Sequence, residues 1–207
     1  MSILNILKKI CNNNYIRYQK VNSMKRKRIY INAPITLTFS LICIVALLLN
    51  YISKGKTNLW LFSTYGSSLL SPMTYLRLFT HVFGHSDINH LMSNLLYILL
   101  LGPILEEKYG NKLIIVIFST AIVTGLVHNL FSPNIMLLGA SGVVFSIIIL
   151  ASITGNQDGI PLTLLIVALL WIGGEIYTGL TSIDSISQLS HIIGGLCGGV
   201  IGLMLKK

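Results

Sequence analysis

Residues 33–53 read APITLTFSLICIVALLLNYIS, 21 positions without a charged side chain. A helix of that length rises about 30 Å, the thickness of a bilayer's hydrocarbon core, so the run predicts a transmembrane span. Comparable runs recur at about 88–106, 111–130, 139–155, 160–178 and 188–205. Over the 207 residues, 53% are hydrophobic and 10% charged, whereas a soluble domain carries about 25% charged residues. The expected fold is therefore all-α and integral to the membrane. It is a six-transmembrane-helix bundle over 33–207, preceded by a basic tail over 1–32.

The formal net charge of +9 invites a nucleic-acid reading, but the placement of the cations excludes it. Eight of the fifteen Lys and Arg precede the first span, and Lys25, Arg26, Lys27 and Arg28 form a block beside it. The segment has few aromatics to stack on bases, and it adjoins a membrane span. Such a block holds its side in the cytoplasm. With six spans and both termini inside, twelve of the fifteen cations are cytoplasmic, and only Lys54, Lys56 and Arg77 lie outside. The first apolar run starts too late and is too long for a cleaved signal peptide, so it is expected to remain as a span. Cys11, Cys43 and Cys197 form no CxxC pair or disulfide framework and are expected as unpaired thiols.

Residues 54–87 form the one long connection, rich in aromatics and too polar to cross, and are expected to lie in the membrane interface. In this topology spans two, four and six all begin at the outer face. Their first residues carry the polar groups: His90 and Asn94, Ser141, and His191. Span four is short, about 22 Å from Ser141 to Gly155, which sets Ser141 below the outer surface.

Three segments carry chemistry. In Leu138-Gly139-Ala140-Ser141-Gly142-Val143-Val144-Phe145, a serine stands between glycines at a helix start, where free amides can stabilise an oxyanion. The competing reading is a serine N-cap or a small-residue packing site. In Ser190-His191-Ile192-Ile193-Gly194-Gly195-Leu196-Cys197-Gly198, glycines three and seven positions after the histidine share a helix face. That face allows close packing, which would bring His191 towards Ser141 as a general base; glycine packing with an incidental histidine is the alternative. Between His81 and Asn94, His90 and Asn94 are four apart and can aim two donors at one point. A metal site on His81, His85 and His90 competes with this, but it lacks a further ligand in register.

The set H-x-x-x-H-x-x-x-x-H-x-x-x-N over His81 to Asn94, G-x-S-G over Gly139 to Gly142 and H-x-x-G-x-x-x-G over His191 to Gly198 resembles the rhomboid intramembrane serine proteases in order and spacing, across about residues 33–205. The resemblance implies a Ser141–His191 dyad and an oxyanion hole of Asn94, His90 and the Ser141 amide. It adds Gly139, Gly142, Phe145, Gly194 and Gly198 as supporting residues and a counterpart of the family's glutamate at Glu106. The fifth helix, about 160–178, would be a lateral substrate gate. No cofactor or metal is implied. The partners would be single-span membrane protein substrates and the lipid bilayer, with the oligomeric state open. The expected setting is the bacterial plasma membrane, with the site opening to the outer face.

Two positions depart from the family pattern: Phe145 stands where many relatives have a tyrosine, and Leu76 where they have a tryptophan before Arg77. Glu175 and His128 read as interfacial, and Asp184, in the outer loop before span six, is close enough in sequence to His191 to orient it in principle as a triad acid would, a reading disfavoured against the dyad. A non-catalytic rhomboid-like protein that binds membrane clients is the runner-up. A small transporter is disfavoured, because the polar groups sit at span ends and no internal repeat is visible.

Overall fold

A computed structural model of the chain describes residues 29–154 and 186–205, with positions 162, 165–167, 169, 170, 173 and 174 between them. The basic tail to residue 28, most of the expected fifth span, Glu175 and Asp184 lie outside the described residues. The described elements are all helical: α1 (Pro34–Ile52), α2 (Lys56–Trp60), α3 (Pro72–Thr80), a 3-10 turn (His81–Phe83), α4 (Ile88–Tyr109), α5 (Lys112–Phe131), α6 (Ser141–Ile153) and α7 (Ile186–Leu205). Among them α1, α4, α5 and α7 are long and apolar enough to cross a bilayer, and α6 is a shorter apolar helix.

In α1 a face of Thr36, Phe39, Ser40, Cys43, Ala46, Leu47 and Asn50 is buried, while Leu37, Leu41, Val45 and Leu48 point outward. A helix apolar on its exposed side suits lipid rather than water. Its N-cap, Ala33, offers no side chain to the free amides of the first turn. Glu106 supplies the missing acceptors from α4. One carboxylate oxygen accepts from the Ile35 amide at 2.8 Å, and the other from the Thr36 amide at 2.9 Å and the Thr36 hydroxyl at 2.8 Å. This ties the start of α1 to the last turn of α4. Cys43 and Cys197 are unpaired thiols.

Helix α6 packs against α4, α5 and α7, and none of its residues is exposed. Burial on all sides explains its lack of an amphipathic period. Helix α7 lies against it at backbone distance: a Cβ on Gly194 would overlap the Gly142 carbonyl, and one on Gly198 the Ser146 carbonyl. Small residues at this spacing let membrane helices approach closely. The helix starts at Ser141 rather than at 139, because Gly139 takes φ 125°, a left-handed conformation that ends helical continuity on that side.

The 53–87 connection is laced to the α5–α6 connection. Thr64 and Leu137 exchange amide-to-carbonyl bonds at 2.9 Å in both directions, the Gly66 amide donates to the Pro133 carbonyl at 2.8 Å, and the Gly139 amide to the His81 carbonyl at 3.0 Å. Asn58 Nδ2 donates to the His85 carbonyl at 2.8 Å. The segment between α1 and α4 thus closes over one end of the bundle and reaches the backbone just before Ser141.

Candidate active site

Ser141 is the first residue of α6, and the cap residue Ala140 satisfies none of its first amides with a side chain. The first intrahelical bond runs from the Val144 amide to the Ala140 carbonyl at 2.8 Å, so the Ser141, Gly142 and Val143 amides point out of the helix start. That end carries partial positive charge. Across it, His191 Nε2 stands 2.8 Å from Ser141 Oγ, although 50 residues separate them. The contact exists because Gly194, three residues on, admits the Gly142 carbonyl. The Phe145 ring lies 4.7 Å from the His191 ring, centroid to centroid, tilted by 42°. An aromatic face therefore covers the imidazole without a phenolic oxygen.

His90 reaches the same place. A Cβ on Gly139 would stand 2.7 Å from His90 Nε2 and 3.9 Å from Ser141 Oγ, so the imidazole edge occupies space that only a glycine leaves open. The proton on His90 is set at the other edge of the ring. The Ser86 hydroxyl donates to Asp87 Oδ2 at 2.7 Å and has no second proton. In the 3.2 Å contact between Ser86 Oγ and His90 Nδ1, the imidazole N–H is therefore the donor. That tautomer leaves a lone pair on Nε2.

Asn94 is buried on the same face of α4. Its Nδ2 lies 3.1 Å from His85 Nε2 and 3.1 Å from the His90 carbonyl, which engages both amide hydrogens. His85 is fully buried, and its Nδ1–H donates to the Phe83 carbonyl at 3.1 Å, so Nε2 is the acceptor. The His85 ring also meets the His90 ring edge-on at 4.9 Å. The two donors expected to converge from His90 and Asn94 are thus near the site, but they are turned to other partners in this arrangement.

His81 and His85 belong to this architecture as buried neutral rings. Burial pushes both pKa values down from 6.5 to about 4. His81 Nδ1–H donates to the Arg77 carbonyl at 3.2 Å, and its own carbonyl holds Gly139. The roles of His85 and Ser86 as partners of Asn94 and His90 were not read from the sequence, although the spacing from His85 to Asn94 was the available signal. His128, at the end of α5, is buried within the fold, with Nε2–H donating to the Ile135 carbonyl at 2.8 Å. The α5–α6 connection folds back over it and removes it from the surface. Gly198 lies farther along the α6–α7 contact, against Ser146, and sets helix spacing rather than touching the dyad.

Comparison with known proteins places the chain in a family. The family model described as "Rhomboid domain" matches residues 72–207. A protein named "Rhomboid protease GlpG" from Salmonella typhi is 32% identical over 174 residues, which cover 80% of this chain and 60% of the relative. Its namesake from Klebsiella pneumoniae (strain 342) is 30% identical over 167 residues, covering 77% and 59%. The chain therefore spans about 60% of the length of the curated relatives it matches.

Proposed function

The chain belongs to the rhomboid family, and from that premise we propose that it is an intramembrane serine endopeptidase with Ser141 as nucleophile and His191 as general base. The observation that carries the reading is the 2.8 Å contact between His191 Nε2 and Ser141 Oγ. His191 takes the hydroxyl proton at Nε2 as Ser141 Oγ bonds to a peptide carbonyl carbon. The imidazolium then gives that proton to the leaving amine, and the acyl-enzyme remains. A water, deprotonated by the same nitrogen, attacks the ester, and the imidazolium returns that proton to Ser141 Oγ as the acyl bond breaks and the new carboxyl end leaves.

The developing oxyanion is met first by the Ser141 amide, which is free at the helix start. His90 and Asn94 join it by exchanging partners. If the Ser86 hydroxyl turns its proton towards His90 Nδ1, the Nε2 atom can carry the donor proton beside Gly139. Asn94 becomes available when one Nδ2–H leaves His85 or the His90 carbonyl. Binding energy from the substrate drives both exchanges.

The substrate is a single-span membrane protein whose helix unwinds locally, because an intact helix keeps its peptide groups hydrogen-bonded. Six spans are read from the apolar runs, and the charge distribution then favours both termini in the cytoplasm and the site opening to the outer face. The segment 160–178 supplies the fifth span, and 1–32 forms a basic cytoplasmic tail. Cysteines introduced at Lys56 and Gln157 test this topology by one-sided labelling: label at 56 from the inside, or at 157 from the outside, refutes it.

Cleavage of a single-span substrate by purified wild type, Ser141→Ala and His191→Ala proteins tests the chemistry. Activity in the wild type alone is the expected result. Wild-type rates in either variant overturn the dyad, and binding without cleavage by the wild type across several substrates favours a client-binding role.

A further inference from the structure

Helix α3 has its polarity turned inside out. Arg77 is only 6% exposed, whereas Tyr75, Leu76 and Phe79 on its other faces are 52%, 44% and 39% exposed. In the turn before it, Leu69 and Leu70 are 73% and 94% exposed. Such a segment is at home with its apolar side chains among acyl chains and its cation at headgroup level.

The cation itself is incompletely satisfied. A guanidinium carries five N–H donors. Arg77 Nε–H donates to the Met73 carbonyl at 3.2 Å, Nη2–H donates to Ser67 Oγ at 3.2 Å, and Cζ lies 4.3 Å from the Tyr65 ring centroid. All three partners are neutral. The remaining N–H groups have no hydrogen bond among the described residues. The described carboxylates are engaged elsewhere or distant in the fold: Asp87 caps α4, Glu106 holds the start of α1, and Glu107 lies beside it at the far end of α4. Although the residue is 6% exposed, Nη1 is not one of the buried atoms that lack a partner, so the unbonded end of the fork reaches the surface, where a planar set of donors suits phosphate oxygens.

The surroundings are built for the same ligand. Ser67 Oγ, which accepts from the guanidinium, lies 2.9 Å from Thr74 Oγ1, so a pair of hydroxyls adjoins the cation. Helix α3 opens with no side-chain cap and no acidic residue in its first turn. We propose that Arg77 and the Ser67–Ser71 turn hold the phosphate of a phospholipid from the leaflet in which the 53–87 connection lies, with its acyl chains beside Leu69 and Leu70. The lipid supplies the counter-charge that the described protein lacks, and it anchors the connection that is bonded to Gly139 and Leu137.

The test uses the full chain in a neutral detergent, with thermal melting and native mass spectrometry as readouts. The probes are dioleoyl phosphatidylglycerol, dioleoylglycerol with the same chains but no phosphate, and glycerophosphate with no chains. The expected result is one retained phosphatidylglycerol and a rise in melting temperature with that probe alone. Arg77→Gln should weaken retention at least tenfold and Arg77→Lys less. Leu70→Ser, which leaves every Arg77 bond in place, should also weaken it and serves should Arg77→Gln not fold. Equal effects of dioleoylglycerol overturn the phosphate contact, and equal effects of glycerophosphate overturn the lipid as its source. Undiminished retention in folded Arg77→Gln or in Leu70→Ser overturns the site.

Discussion

Adding one methyl group at Gly194 tests whether backbone contact between α6 and α7 sets the dyad. A Cβ there would overlap the Gly142 carbonyl and stand 2.8 Å from Gly142 Cα. Non-bonded carbons settle at about 3.5–4.0 Å, so the two helices must part by about 1 Å. The 2.8 Å bond between His191 Nε2 and Ser141 Oγ then stretches to about 3.8 Å, beyond the ~3.2 Å limit for proton transfer. A displacement of that size costs about 10²-fold in rate, and overpacking costs about 1–3 kcal/mol of stability. Gly199→Ala is the control, because its Cβ would meet Ile149 Cγ2 at an ordinary 3.7 Å. Initial cleavage rates in proteoliposomes, with melting curves on the same preparations, should show Gly194→Ala slowed about a hundredfold and Gly199→Ala within about twofold of wild type. A folded Gly194→Ala protein that cuts as fast as Gly199→Ala refutes the reasoning.

Glu106→Ala removes three contacts from the start of α1 and leaves the buried Thr36 amide and the partly buried Ile35 amide unpaired; a loss of about 1–3 kcal/mol for the buried group should appear as an earlier denaturation midpoint. His81 and His85, with pKa values lowered to about 4, bind protons more readily in the unfolded chain. Their contribution is complete above the ordinary 6.5 and is lost as pH falls towards 4, so His85→Gln should flatten the wild-type decline in melting temperature across that window. An unchanged slope in the variant would exclude His85. Phe145→Leu should lower kcat by loosening His191 while Phe145→Tyr preserves it, because the ring face rather than a phenolic oxygen makes the contact; stopped substrate cleavage in Phe145→Tyr contradicts this. Asp87→Asn should retain the α4 cap, since either side chain can accept from the Asn89 and His90 amides. Asp87→Ala should lose the cap, a difference that far-ultraviolet circular dichroism on heating can measure.

Helix content and the candidate spans were legible because hydropathy is a local property: 33–53 is long and apolar enough to cross a bilayer, and the structure makes it the helix Pro34–Ile52. The motif order was legible as well: His90, Ser141 and His191 stand near the starts of α4, α6 and α7. Helix ends were less so. Nothing in residues 139–141 alone distinguishes a helix start at 139 from one at 141; the φ of Gly139 that decides it goes with contacts to the His90 ring and the His81 carbonyl, both distant in sequence.

By itself, the sequence determined that the chain folds as apolar helices and which hydroxyl and imidazole could meet. Only the tertiary structure decided that they do stand in contact, that Asn94 is turned to His85, that the proton of His90 faces Ser86, and that Arg77 is buried. The reason is range. Hydropathy acts through each residue's own solvent, whereas a hydrogen bond depends on tenths of an ångström between atoms placed by helix contacts, which for the dyad lie 50 residues apart in the chain.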